Sequence, residues 1–274
     1  MSNASLSAAA QALLDAKREA RTLPPFTDAD PGFDLNRGYE VGFELLALRR
    51  EQGEKPVGRK VGLTNDTAWP QLGLDAPIWA HMYDTTVSYA RGATDRFSLA
   101  GLVQPRIEPE FIFSLRAPIE AGENDPVKLL DAVEWLALGF EIVHCHYPGW
   151  VFKPADAVAD FGLHAGSVIG TPHIVTDAER AALAGRLPEA GITLSLEGDT
   201  AATGEGRNVL GNPLQALGYL ARVVAGQPQA APLAAGEVIT TGTLTVAQDV
   251  APGQTWTVAV DGVDLPPTRV AFED

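Results

Sequence analysis

Cysteine is almost missing from this chain: Cys145 is the one thiol in 274 residues. That excludes an intramolecular disulfide and a zinc site built on several thiolates, and it suits a reducing, cytoplasmic setting. The apolar neighbours of Cys145 point to a buried, inert thiol. Basic residues are scarce as well. Twenty Lys and Arg stand against 35 Asp and Glu, a formal charge of −15. Such a surface repels phosphate backbones, and no basic patch offsets it, so nucleic acid is not an expected partner. No apolar run reaches the length of a membrane span, and no basic segment leads into an apolar stretch at the N-terminus, so neither insertion nor export is expected. Hydrophobic residues are not scarce, at 46% with 20% charged. The chain therefore folds by burial, as one large domain or a large domain with a small one.

The first part reads as helical. In SLSAAAQALLDAKREARTLPPF, Leu6, Leu13 and Leu14 fall on one side of a helix that Pro24 and Pro25 stop. A second helix starts at Asp34, a natural N-cap, and carries Tyr39, Phe43 and Leu46 toward Gly53. Beyond it come short β-branched or aromatic runs punctuated by Gly and Pro: TTVSY, EFIFSL, GFEIVHC, GSVIGTP, ITLSLEG, EVITTGTLT and TWTVAVDG. Two helices are expected among them, over DPVKLLDAVEWLA and over GNPLQALGYLARVVAG, where Asn212 caps, Pro213 opens and Gly226 closes. The strands are not spaced by regular helices, which argues against a doubly wound sheet and for a mixed barrel or rolled sandwich of the α+β class.

Three carboxylates stand out. Glu108 and Glu110 in RIEPEFIFSL are two residues apart, so in a strand both side chains leave on one side. Pro109 between them cannot donate to a ladder, which suggests an edge, a bulge or a strand mouth. A solvated strand face is the other reading of this pair. Glu141 lies inside the apolar run ALGFEIV with no basic residue nearby in sequence. Burying it alone costs several kcal/mol or forces its protonation, and a cation supplied by the fold resolves this. An oxygen-only donor set suits magnesium or manganese better than zinc. Lys60, in PVGRKVGLTND, alternates with Val57, Arg59, Val61 and Leu63 and so faces away from them. It is either a surface lysine or, near a metal, a proton carrier. His144 and His146 share a face, but no third ligand lies nearby to complete a zinc site.

The blocks GRKVGLTND…QLGLDAPIW, IEPEFIF, ALGFEIV, WVFKPADAVAD, GNPLQALGYLA and AAGEVITTGTLTVAQDVAPGQTW resemble, in that order, the 2-oxopent-4-enoate hydratase and 4-oxalocrotonate decarboxylase group of the fumarylacetoacetate hydrolase superfamily. The resemblance spans nearly the whole chain. It implies a mixed β-roll catalytic domain over residues 73–274, preceded by a small, mainly helical region over residues 1–72. It implies a divalent metal, Mg2+ or Mn2+, held by Glu108, Glu110 and Glu141, with Lys60 as the active-site lysine. Lys153, in a W-x-x-K-x-x-D pattern with Trp150 and Asp156, matches a second lysine of the group, and Thr243 matches the position that borders the substrate. Arg106 and Lys153 are candidates to hold a substrate carboxylate, and Trp79 and Trp150 to line the pocket. The implied reaction takes a 2-hydroxy-dienoate or 2-oxo-enoate, as in meta-cleavage breakdown of aromatic compounds, and hydrates it. Decarboxylation of an oxalocrotonate-like diacid, and hydrolysis or tautomerisation of an acyl-pyruvate, are alternatives. The group also implies self-association, with a related decarboxylase or hydratase as a further partner.

The chain departs from the group in two places. Where hydratases carry an acidic residue after the proline of LG-x-D-x-P, this chain has Ile78, followed by Trp79 and His81; His81 is a candidate substitute. Where the group continues VAD with Asn and small hydroxyl residues, this chain reads FGLHAGS. Phe161, Leu163 and His164 there suggest a more apolar substrate tail, with His164 either a substrate contact or a satisfied structural group. A partner subunit whose own catalysis has decayed is the reading of another class that these departures motivate.

Overall fold

The computed structural model describes residues 3–274. Its N-terminal part is helical: α1 (Asn3–Arg18), the single turn α2 (Phe26–Ala29) and α3 (Leu35–Glu51). The Asp34 carboxylate accepts the Arg37 N–H at 3.0 Å, so the expected cap opens α3. Tyr39, Val41, Leu45 and Leu46 are the buried apolar residues of α3. The buried Asp156 accepts from Thr27 N (3.0 Å) and Thr27 Oγ1 (2.6 Å), tying α2 to the short helix Pro154–Ala159.

The strands are β1 (Pro56–Gly62), β2 (Ile78–Tyr83), β3 (Val87–Tyr89), β4 (Asp95–Ser98), β5 (Arg106–Leu115), β6 (Val133–Val143) and β7 (His164–Ile169). They continue with β8 (His173–Ile174), β9 (Gly191–Leu196), β10 (Asp199–Glu205), β11 (Val238–Thr240), β12 (Gln248–Asp249), β13 (Thr255–Asp261) and β14 (Thr268–Glu273). A nine-stranded sheet runs β2-β1-β11-β5-β6-β7-β3, with β12 on β5 and β8 on β6; a five-stranded sheet runs β10-β9-β13-β14-β4. Both are mixed, because β1 with β11, β3 with β7 and β4 with β14 are parallel pairs within otherwise antiparallel ladders. The α+β expectation therefore holds. β1 comes from the first 72 residues yet sits between β2 and β11, so the N-terminal region enters the large sheet through the strand that carries Lys60.

Three local expectations change. The helix over DPVKLLDAVEWLA starts as expected, with the Asp125 side chain accepting from Val127 N, but ends at Asp131. Val133 already belongs to β6, whose Leu136, Ala137, Leu138 and Phe140 are all buried. A strand covered on both faces reads as a continuous apolar run, which periodicity alone cannot separate from a helix. The later helix begins at Gln215 instead of Pro213: Asn212 Oδ1 accepts from Leu214 N at 3.1 Å, and Gln215, Ala216 and Leu217 bond three residues back before the α-helix sets in. In EVITTGTLT only Val238–Thr240 is strand, since the chain leaves the ladder at Gly242 with φ 99°. Among the described residues no helix is long and apolar enough to cross a membrane.

Candidate active site

The site is built on β5 and β6, which lie antiparallel with Glu108 opposite Glu141 and Glu110 opposite Gly139. Directly opposed residues share a face, and so do residues two apart, so all three glutamates leave the sheet on one side. Each offers one carboxylate oxygen, and these atoms lie within 4.8 Å of one another; among the described residues this is the one such group of three or more potential ligands. Pro109 needs no ladder partner there. It stands between the part of β5 paired with β12 (residues 106–107) and the part paired with β11 (residues 112–114). Into that gap comes the loop after β11, where Leu244 N donates to Pro109 O at 2.8 Å. Gly242 N donates to Glu110 Oε2 at 2.7 Å. Only glycine fits at 242, because φ is positive and a Cβ would come within 2.1 Å of Thr64 Oγ1.

Glu110 and Glu141 are fully buried, Glu108 half-buried. Burial pushes Glu108 up to about 7, and burial together with the neighbouring carboxylates drives Glu110 well above the usual range. Glu141 is the exception. Burial opposes its charge as well, but Lys60 and His164 prevail and hold it below the usual value. Lys60, itself 4% exposed, sets Nζ 3.3 Å from Glu141 Oε2. Burial acts against its charge, but Glu141, then Glu108 and Glu110, overcome that and raise its pKa. The cation missing near Glu141 in the sequence thus arrives from β1.

Two oxygens carry the metal argument. Glu110 Oε1 and Glu141 Oε2 are buried without a hydrogen bond, Glu141 Oε2 having only the Lys60 ammonium at 3.3 Å, while the other oxygen of each carboxylate is engaged, by Gly242 N and by His164 Nδ1. Bare buried carboxylate oxygens are costly, and three glutamates converging with one free oxygen on each buried member fit a hard divalent cation. On the same face of the sheet Met82, Ile112, Ala137, Ile169 and Val238 form a separate apolar cluster beside the site.

A cavity of about 670 Å³ opens beside the trio. Lys60, Glu108 and Thr243 line it, with Ile78, Val143, Trp150, Gly162 and Leu163 among its apolar wall. Thr64, Asn65, Thr67, Arg207 and Asn208 add a polar rim with no mark in the sequence, since these residues sit in loops and single 3-10 turns from distant segments that the fold brings together. Thr243 Oγ1 donates to Thr245 O at 2.8 Å.

Other candidates lie elsewhere. In the β1–β2 ladder Lys60 faces Ala80 and Gly62 faces Ile78, whereas Arg59 faces His81 and Val61 faces Trp79. Trp79 and His81 therefore point to the side opposite the glutamates, where Trp79 packs on Tyr39 and Phe43 of α3, and the Trp79 and His81 rings lie 4.9 Å apart. Burial, with Arg59 and Arg50 nearby, pushes the His81 imidazole down to about 3, so it stays neutral. His81 does not take the place of the acidic residue that Ile78 replaces; Ile78 itself is the one facing the cavity. Lys153 is exposed and stands just ahead of the helix Pro154–Ala159, its N–H donating to Asp156 Oδ2 at 3.0 Å. The spacing of that Lys and Asp serves this helix start. Arg106 pairs with Asp249 at 2.8 Å and lies 4.3 Å above the Trp150 ring, lining a neighbouring hollow that shares Trp150 with the cavity. His164 is buried behind Glu141 and does not line the cavity. His144 and His146 are fully buried with rings 4.5 Å apart, and the buried Cys145 thiol is pushed up to about 12 by its surroundings.

No family model matches the chain. Individual proteins do. A 2-hydroxyhexa-2,4-dienoate hydratase of Comamonas testosteroni is 33% identical over 253 residues, 92% of each chain. A 2-keto-4-pentenoate hydratase of Burkholderia vietnamiensis is 32% identical over 94% of this chain and 95% of its own. The solved structure of 4-oxalocrotonate decarboxylase from Pseudomonas putida G7, complexed with magnesium and adipate, superposes with a TM-score of 0.89 at 25% identity, covering 99% of this chain and 98% of that one. With the carboxylate trio, the buried lysine and full-length similarity in agreement, the chain belongs to the hydratase and decarboxylase group of the fumarylacetoacetate hydrolase superfamily.

Proposed function

We propose that this protein is a divalent-metal-dependent lyase that adds water to a 2-hydroxy-dienoate or its 2-oxo-4-enoate form, as in meta-cleavage breakdown of aromatic compounds. The observation that carries the reading is the convergence of Glu108, Glu110 and Glu141 beside buried Lys60 at a cavity with one apolar wall and a polar rim. Magnesium or manganese is the ion assigned, on the oxygen-only donor set and the magnesium in the decarboxylase from P. putida G7. When bound, the ion supplies Lewis-acid stabilisation of the negative charge that grows on the substrate's oxygens. Glu108, Glu110 and Glu141 would hold it. Lys60 Nζ, fixed by Glu141, holds and moves the proton that migrates along the substrate chain. Ile78, Leu163 and Val143 receive an apolar tail, and Thr243 borders the reacting end.

Decarboxylation of a 2-oxo-enedioate is the second reading, favoured by Ile78 in place of an acidic side chain on the cavity wall and by the fold match to a decarboxylase. Bare buried oxygens beside a buried lysine speak against a decayed partner subunit, which has no reason to keep so costly a cluster. Incubation with 2-hydroxypenta-2,4-dienoate and magnesium tests the proposal. Loss of the dienol's ultraviolet absorbance without carbon dioxide release is expected. Carbon dioxide release from the corresponding enedioate, with the dienol left intact, makes the protein a decarboxylase instead.

A further inference from the structure

We propose that His164 is a positioning residue for Glu141, selecting which carboxylate oxygen is left free for the ion; this rests on the metal reading above. The ladder between β6 and β7 runs Glu141 to Ser167 and Ile142 to Gly166, then slips so that Val143 faces His164. Two steps on β7 match one on β6, a bulge at Ala165. A bulge re-aims the side chain beside it, and here it brings His164, just before Ala165, onto the face that carries Val143 and Glu141. His164 is 1% exposed, with Nδ1 at 2.8 Å from Glu141 Oε1 and Nε2 at 2.9 Å from Thr86 Oγ1.

The directions of these bonds follow from the chemistry. An ionised carboxylate only accepts, so Nδ1 donates to Glu141, and in a neutral ring Nε2 accepts the Thr86 hydroxyl proton. Thr86 Oγ1 in turn accepts from Tyr83 N at 3.2 Å, and its one proton goes to Nε2 at 2.9 Å in preference to Tyr83 O, the competing acceptor at 3.2 Å. A one-way chain thus runs from the β2 backbone through Thr86 and His164 to Oε1. Oε2 takes no hydrogen bond and faces Lys60 Nζ at 3.3 Å. Such outer partners fix ligand orientation, and their loss typically weakens metal binding about 10- to 100-fold.

The test is calorimetric titration of Mn2+ into the metal-stripped full-length protein, with circular dichroism as a check of folding. His164→Ala is expected to weaken binding about 10- to 100-fold. His164→Asn, whose amide N–H sits as many bonds from the backbone as Nδ1, is expected to recover most of it. His164→Gln, which reaches toward Thr86 but leaves Oε1 without its donor, is expected to recover none. Thr86→Val keeps the donor and loses its anchor, and a smaller loss is expected; it carries the test if His164→Ala fails to fold. A merely structural role shifts the melting temperature and leaves affinity unchanged in the folded variants. Folded His164→Ala, or folded Thr86→Val in its place, binding Mn2+ as the parent does overturns the positioning role alone. A parent that binds no Mn2+ overturns the site reading and this inference together.

Discussion

Glu110 and Glu141 each have one hydrogen-bonded oxygen and one without a hydrogen bond at zero exposure, an arrangement that costs several kcal/mol unless a cation, or in its absence a proton, supplies the difference. Lys60 supplies part of it, and a dication fits the remainder. Glu141→Gln is expected to lower metal affinity and remove most turnover. Lys60→Met is expected to retain metal binding and lower turnover by about 10²- to 10⁴-fold, the usual worth of a proton-transfer group. Parallel titrations and rate measurements on the two variants separate the roles, and equal loss of metal in both contradicts them. The pH dependence follows from the same burial. Glu108 is pushed up to about 7 and Glu110 well above the usual carboxylate range, so near neutrality the metal-free site holds protons that an ion must displace. Metal affinity therefore rises with pH through about 7, with proton release visible when calorimetry is repeated in buffers of different ionisation enthalpy. An affinity flat across that range contradicts the assigned protonation. These residues were legible in the sequence because a carboxylate inside an apolar run has few tolerable explanations. Trp79 and His81 face away from the site because neighbouring residues in a strand point to opposite faces.

At the scale of elements, the least regular pieces hold the site. Phe161, Gly162 and Leu163 take φ of 53°, 62° and 65°, a left-handed turn that side chains resist. It packs on the lysine: a Cβ at Gly162 would lie 2.6 Å from Ala80 Cβ and 3.1 Å from Lys60 Cδ. Gly162→Ala is therefore expected to cost about 1–3 kcal/mol, a drop of roughly 3–10 °C in melting temperature, and to reduce turnover by shifting the Lys60 stem. Thermal melting and initial rates check this; an unchanged melting temperature shows that the turn relaxes freely. The sequence displayed β5 and β7 well through their bounded β-branched runs. It concealed the first half of β6, whose Leu136-Ala137-Leu138 run, buried on both faces, reads like a helix, and the bulge at Ala165, which leaves no compositional mark. Reading Val133–Ala137 as helix keeps Glu141 in its strand but hides the pairing of these residues with Ile112–Leu115, which extends the ladder that sets Glu141 opposite Glu108.

For the molecule as a whole, the nine-stranded sheet is the frame that lets four residues from three distant segments meet: Lys60 on β1, Glu108 and Glu110 on β5, and Glu141 on β6. The class of fold was legible from the alternation of short strands without regular crossover helices. The way β1 enters the sheet was not, because a parallel partnership with β11, some 180 residues away, has no local signature. The helical N-terminal region packs behind this frame and leaves the metal-facing side of the sheet to the cavity. The most direct measurement is anomalous diffraction at the manganese edge from crystals soaked in manganese chloride. A single strong peak among the carboxylates of Glu108, Glu110 and Glu141, adjacent to Lys60, is predicted. A peak elsewhere, or none at a concentration that supports turnover, contradicts the account.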